Sequence, residues 1–118
     1  MVMMFQRLGL LEMSYRFMRT IVMFDLPVTT LSDRREYTKF RKYLLRNGFI
    51  MLQESVYCKL ALNGTVANAI CENIKRNKPP KGLVQMITVT ERQFSKMELI
   101  TGDNFSNVID TDERLIVL

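Results

Sequence analysis

Apolar residues in this chain recur with two periods, and the switches between them divide it into short elements. Residues 19–25 form a β-branched and apolar run ended by Leu26-Pro27. This is the pattern of a strand apolar on both faces, and hence central in a sheet, with Pro27 ending its ladder. Thr30 and Asp33 match a capping pattern and open a helix in which Tyr37, Phe40 and Leu44 recur at helical spacing until Asn47-Gly48 stops it. Residues 49–53 and 55–60 are two strand-like runs with almost nothing between them. They make either a tight hairpin or one strand with a bulge near Glu54, and an antiparallel pair is the expectation.

Asn63-Gly64-Thr65 supplies a turn and a cap for a second helix, with Val66, Ile70 and Ile74 on its apolar face and Ala67 and Cys71 beside them. Lys78-Pro79-Pro80-Lys81-Gly82 stops that helix, and residues 83–90 read as the next strand. Residues 91–102 suit a short irregular or helical connection, and the apolar run 114–118 suits a terminal strand that must find an edge to pair with. The order is β-α-β-β-α-β with an added C-terminal strand. This predicts an α+β, ferredoxin-like arrangement of two helices on one face of an antiparallel sheet. Residues 13–118 are read as one such domain, and residues 1–12 as an N-terminal extension to which the pattern assigns no role.

Composition narrows the class. With 118 residues, 47 % hydrophobic and 25 % charged, the chain has the balance of an ordinary globular domain with one core. The longest charge-free stretch, residues 60–71, is far short of the roughly 20 apolar residues a membrane span needs. The apolar start at residues 1–6 lacks the basic lead and cleavage site of a secretory signal, so a cytoplasmic location is expected. There is no histidine, which removes the side chain most used in neutral-pH acid–base, triad and transition-metal chemistry. Catalysis would have to use carboxylates or hydroxyls. Cys58 and Cys71 form no metal or redox motif and read as buried reduced thiols, and the nine methionines read mainly as core filler.

The charge is segregated. Residues 1–97 carry sixteen bases and seven acids, whereas residues 98–118 carry Arg114 against Glu98, Asp103, Asp110, Asp112 and Glu113. A basic body with an acidic tail suits polyanion binding on one surface and a protein contact through the tail. On the first helix Arg35, Lys39, Lys42 and Arg46 fall on one stripe away from the apolar face, flanked by Arg34 and Arg41. Lys75, Arg76, Lys78 and Lys81 cluster at the end of the second helix and its Pro-Pro loop. Solvated faces also carry such charges, but acids are sparse here, and phosphate-backbone contact is the expectation. Asp25 ends the apolar strand where side chains emerge at the sheet margin. Alone it could be a turn-initiating aspartate. Paired with its copy across a two-fold axis, it could hold Mg²⁺ or Mn²⁺ against a phosphodiester.

Several runs together resemble the CRISPR-associated protein 2 family, the small subunit of the spacer-acquisition machinery. They are Phe24-Asp25-Leu26-Pro27, Arg34-Arg35-x-Tyr37-x-x-Phe40-Arg41-Lys42-Tyr43-Leu44, Gly48-Phe49, Gln53-x-Ser55-Val56-Tyr57 and Val89-Thr90-Glu91-Arg92-Gln93-Phe94. The last of these, with Asp112-Glu113-Arg114-Leu115, is similar to members from type II-A systems of Gram-positive bacteria. The resemblance covers about residues 14–118. It implies a ferredoxin-like homodimer that bridges two dimers of the CRISPR-associated integrase in a heterohexameric complex and holds the middle of a prespacer duplex on its basic surface. It also implies a metal-dependent endonuclease acting on RNA or duplex DNA, with Asp25 as the catalytic and metal-site residue and Mg²⁺ or Mn²⁺ as cofactor. The alternative on the same fold is a toxin-type metal-dependent ribonuclease. Many members carry Tyr immediately before this aspartate, and this chain has Phe24.

Overall fold

A computed structural model describes residues 17–102. The elements run β1 (Met18–Asp25), α1 (Leu31–Arg46), β2 (Ile50–Gln53), β3 (Val56–Ala61), α2 (Gly64–Arg76), β4 (Leu83–Thr90) and a single helical turn, α3 (Glu91–Phe94). The four strands make one antiparallel sheet in the order β2-β3-β1-β4. This is the expected ferredoxin-like order, with β1 central as its composition required. The expected strand at 114–118, the acidic tail beyond residue 102 and the extension 1–12 lie outside the described residues.

Register explains the two faces of the sheet. Val22 stands opposite Tyr57 on β3 and Met86 on β4, and Thr20 opposite Lys59 and Thr88, so these side chains share one face. That face is covered by Phe40 and Leu44 of α1 and Ala67, Ile70 and Ile74 of α2, which close the core with Val22, Phe24, Tyr57 and Ala61. The α2 stripe is turned from the expected one. Ala67 is buried while Val66 is 38 % exposed, so the small methyl lies where the helix meets the sheet and the larger side chain lies on the flank. Inside this layer the one buried polar side chain among the described residues, Thr20, shares a hydrogen bond with the Thr88 hydroxyl at 3.1 Å. Its desolvation is thereby offset.

The helix ends follow their sequence signals. The Thr30 hydroxyl accepts from the Asp33 amide at 3.0 Å and the Asp33 carboxylate accepts from the Thr30 amide at 3.2 Å, a reciprocal cap. At the other end Gly48 takes φ +86°, and the Phe49 amide donates to the Leu44 carbonyl at 3.0 Å. Lys59, from β3, donates to the Asn47 carbonyl at 2.5 Å, adding a cation where the helix dipole is negative. Asn63 caps α2 by accepting from the Val66 amide at 2.9 Å. The β2–β3 connection is the tight hairpin, with Glu54 and Ser55 as its turn and a register shift between Met51 and Gln53.

Methionine usage is mixed. Met18 and Met86 pack against the core, but Met51 and Met97 are 47 % and 60 % exposed, so the expectation of core filler fails for those two.

Where the α2–β4 loop passes the end of β1, Gly82 adopts φ +93°. A Cβ there would lie 2.8 Å from the Asp25 carbonyl oxygen and 3.0 Å from the Leu26 Cα, both backbone atoms. Gly82→Ala is therefore expected to cost about 1–3 kcal/mol through backbone strain, read as a lowered urea midpoint with unchanged m-value. An unaltered midpoint would contradict this close approach.

Candidate nucleic-acid interface and carboxylate site

Side-chain alternation along β1 decides where Asp25 emerges. Thr20, Val22 and Phe24 are buried against the helices, so Arg19, Ile21, Met23 and Asp25 belong to the opposite face. On that face β4 contributes Leu83, 55 % exposed and directly opposite Asp25, and Ile87, 51 % exposed and opposite Ile21. No described helix longer than the single turn α3 lies over it. Asp25 is exposed at the sheet margin. The Ser55 carbonyl accepts from the amide of the preceding residue, Phe24, at 3.1 Å, and Gly82 closes in from the other side. Among the described residues no three acidic, cysteine or histidine side chains gather into a metal cage.

Phe24 itself points away from this carboxylate. Its ring stacks on Tyr57 with centroids 5.7 Å apart and meets Tyr37 and Phe40 edge-on at 5.9 and 5.3 Å. The Phe-for-Tyr departure from the family pattern is thus felt in the aromatic core, not on the face that carries Asp25.

The bases predicted for phosphate contact divide into two groups. Arg35, Lys39, Lys42 and Arg46 are exposed and line one open groove along α1 with Leu31, Arg34 and Thr38. None of these four has an ion-pair partner among the described residues. The others are tied to the fold. Arg34 donates to the Val28 and Thr29 carbonyls at 3.3 and 3.4 Å, and Arg41 donates to the buried Tyr57 hydroxyl at 2.9 Å. Lys75 pairs with Glu72 at 2.9 Å, Arg76 donates to the Asn73 side chain, and Lys81 stands 3.8 Å from Asp33. Lys78 is exposed at the start of the Pro-Pro loop. The Thr30 amide and hydroxyl, with Lys81 also contributing, hold the Asp33 carboxyl below its ordinary range.

A further cluster was not legible as a site. Arg19 forms a two-bond fork with Glu91, Nε to Oε1 at 2.9 Å and Nη2 to Oε2 at 2.5 Å. Its guanidinium lies 4.5 Å from the Phe94 ring centroid and reaches the Cys58 sulfur at 3.7 Å. The pair joins residues 72 positions apart and folds α3 against the margin of the open face. Burial pushes the Cys58 thiol up and Arg19 opposes it, so Cys58 is a poor nucleophile, in keeping with a buried structural thiol, whereas Cys71, expected to be buried as well, is only half-buried on α2.

An α+β domain with helices on one sheet face, a basic groove on the outer helix and a carboxylate on the opposite face defines the class. The family model for CRISPR associated protein Cas2 matches residues 18–97. A protein of Treponema denticola named CRISPR-associated endoribonuclease Cas2 is 55 % identical over 101 residues, covering 86 % of this chain and the whole of that protein. Proteins of the same name from Streptococcus mutans and Ligilactobacillus salivarius are 46 % and 42 % identical, each over 86 % of this chain and over 93 % and 100 % of their own lengths. The chain belongs to the CRISPR-associated protein Cas2 family. No helix among the described residues is long and apolar enough to cross a membrane.

Removing the Arg19 guanidinium leaves Glu91 unpaired and uncovers Cys58. Arg19→Met is expected to destabilise the fold by about 1–3 kcal/mol and to raise the labelling rate of Cys58 by a maleimide, with Cys71 as the internal reference. Labelling at the wild-type rate would show that the fork does not shield the thiol.

Proposed function

We propose that this protein serves CRISPR adaptation as a homodimer that holds duplex prespacer DNA beside the CRISPR-associated integrase, and that it also cleaves RNA phosphodiesters at Asp25. The DNA-holding reading rests on one observation: Arg35, Lys39, Lys42 and Arg46 form an exposed row without acid partners among the described residues. Such a row neutralises phosphates by charge and carries no base-reading aromatic, so binding is sequence-tolerant and salt-dependent. The integrase supplies strand transfer.

The homodimer reading is supported by the open sheet face. Leu60, Leu83 and Ile87 lie on it at 39 %, 55 % and 51 % exposure, an apolar surface that a second copy stacked face to face would cover. Two-fold stacking on this face would direct both Asp25 carboxylates to the same interface. Mg²⁺ takes one or two carboxylates and otherwise retains water, so Asp25 and its copy fit such an ion, as does Mn²⁺. When bound, the cation would polarise the phosphodiester. Asp25 would hold the cation, and the sheet margin around it would receive the strand. Endoribonuclease activity is carried here from the names of the relatives.

Two variants separate the roles. Replacing Arg35, Lys39, Lys42 and Arg46 together by Gln is expected to weaken duplex DNA binding more than tenfold and to flatten the log K against log[salt] slope by roughly 0.9 per lost phosphate contact. Asp25→Asn is expected to abolish Mg²⁺- or Mn²⁺-dependent RNA cleavage and leave duplex binding intact. An unchanged salt slope in the first variant would refute the duplex-holding face. Equal cleavage by Asp25→Asn and wild type would refute the carboxylate site.

A further inference from the structure

The exposed bases of α1 form a narrower feature than their number suggests. At about 100° per residue, Arg35, Lys39, Lys42 and Arg46 fall within an arc of about 60°, a straight ridge roughly 16 Å long. All four are exposed and line the same open groove. Their steps of three and four residues are about 4.5–6 Å each, with no gap in the middle of the ridge. The flanks differ from the ridge. On one side runs an uncharged line, Leu31, Thr38 and Leu45, all exposed, the leucines at 58 % and 41 %. Arg34 and Arg41 lie beyond that line and are bonded to the Val28 and Thr29 carbonyls and to the Tyr57 hydroxyl. On the other side the helix presents Ser32, Glu36 and Tyr43, the last two half-buried. Exposed positive charge that the fold does not engage is therefore confined to a single line on this helix.

A duplex presents two phosphate lines, and a helix seated in its major groove, about 12 Å wide, has one of them on each flank. Here those flanks would bring two leucines to one strand and Glu36 to the other. A ridge laid across that groove fails as well, because its middle bases would stand over the gap. Along one strand a phosphate recurs at every nucleotide, with an axial rise of about 3.4 Å and a longer path along the backbone, which is the scale of the ridge's own steps. We infer that the α1 ridge takes one phosphodiester strand lengthwise, in the same way whether that strand is free or part of a duplex. This rests on the reading of the row as a phosphate-binding surface and adds which part of the nucleic acid it holds. None of the groove-lining residues is aromatic, so no base has to unstack to be held, and the complementary strand contributes nothing to the contact. In the face-to-face dimer proposed above the two ridges lie on opposite outer surfaces, so each takes its strand by itself.

The test uses three ligands of one sequence: an ordinary DNA duplex, the same duplex with uncharged methylphosphonate linkages throughout one strand, and the charged strand alone. Binding of the full-length protein to each is measured by anisotropy over a range of salt concentrations, in chelator, where no cleavage occurs. The number of phosphates engaged is the slope of log K against log[salt] divided by roughly 0.9 for the ordinary duplex and roughly 0.7 for the two ligands with one charged strand. That number is expected to be the same for all three. A number halved on the half-neutral duplex would show that both strands are held and would overturn the inference. A single strand bound equally by wild type and by the variant with Arg35, Lys39, Lys42 and Arg46 replaced by Gln would overturn it too, since the ridge would then need a duplex. The same variant keeps the two ideas apart. If it binds the ordinary duplex with the wild-type slope, the phosphate-binding reading falls and this inference falls with it; if it loses that slope while wild type engages half as many phosphates on the half-neutral duplex, only this inference falls.

Discussion

The structure hangs on β1 being paired along both edges. Its eight residues meet β4 along their whole length and β3 over six, so neither edge is free and every alternate side chain is committed to a face. Thr20, Val22 and Phe24 must then be covered by helices, and Arg19, Ile21, Met23 and Asp25 must face the other way. A one-residue slip in register would exchange the two sets and bury a carboxylate and a guanidinium against Phe40 and Leu44. The Thr20–Thr88 bond marks the register from inside the core, since it forms only when those two residues are opposed. The ladder, the core and the position of Asp25 are therefore one constraint.

That constraint also keeps the two chemistries apart. The basic groove belongs to α1, on the far side of the helical layer, whereas Asp25 belongs to the bare face of the sheet. A polyanion spread on the helices is separated from the carboxylate by the full thickness of the core. Each surface can therefore be altered without rebuilding the other. Some of the acids near the exposed basic row are occupied by similar means. Asp33 is occupied by the α1 cap and the adjacent Lys81, and Glu72 by Lys75.

Much of this was legible in the sequence because it is written in local rules. The limits of β4 follow from its apolar run, and the α1 cap from Thr30 and Asp33. The hairpin at Glu54–Ser55, the central place of β1 and the family follow from short contiguous motifs. What escaped depends on contacts between distant residues. Helical spacing placed Val66 and Ala67 within the same apolar arc, and only the closeness of α2 to the sheet decides that the methyl goes inward. Arg41 looked like its neighbours on the helix until Tyr57, on another strand, presented a hydroxyl to it. Arg19, Glu91, Cys58 and Phe94 come from three elements, and no spacing rule brings them together. Of the candidate bases, the row 35, 39, 42, 46 is exposed without an ion-pair partner among the described residues, and most of the others are tied to neighbouring groups of the fold.

The ends of β1 show how stability and chemistry divide within one strand. At the Arg19 end every strong group is consumed: the guanidinium is forked to Glu91, covered by Phe94 and laid over Cys58. At the Asp25 end the backbone is pinned by Ser55 and crowded by Gly82, yet the Asp25 carboxylate is without a partner among the described residues. A domain that used both ends for stability would have paired the carboxylate as it paired the guanidinium. Fixing the backbone while leaving the side chains uncommitted holds them in place without satisfying them, and that is the condition under which a small surface site can bind a ligand without first breaking its own contacts.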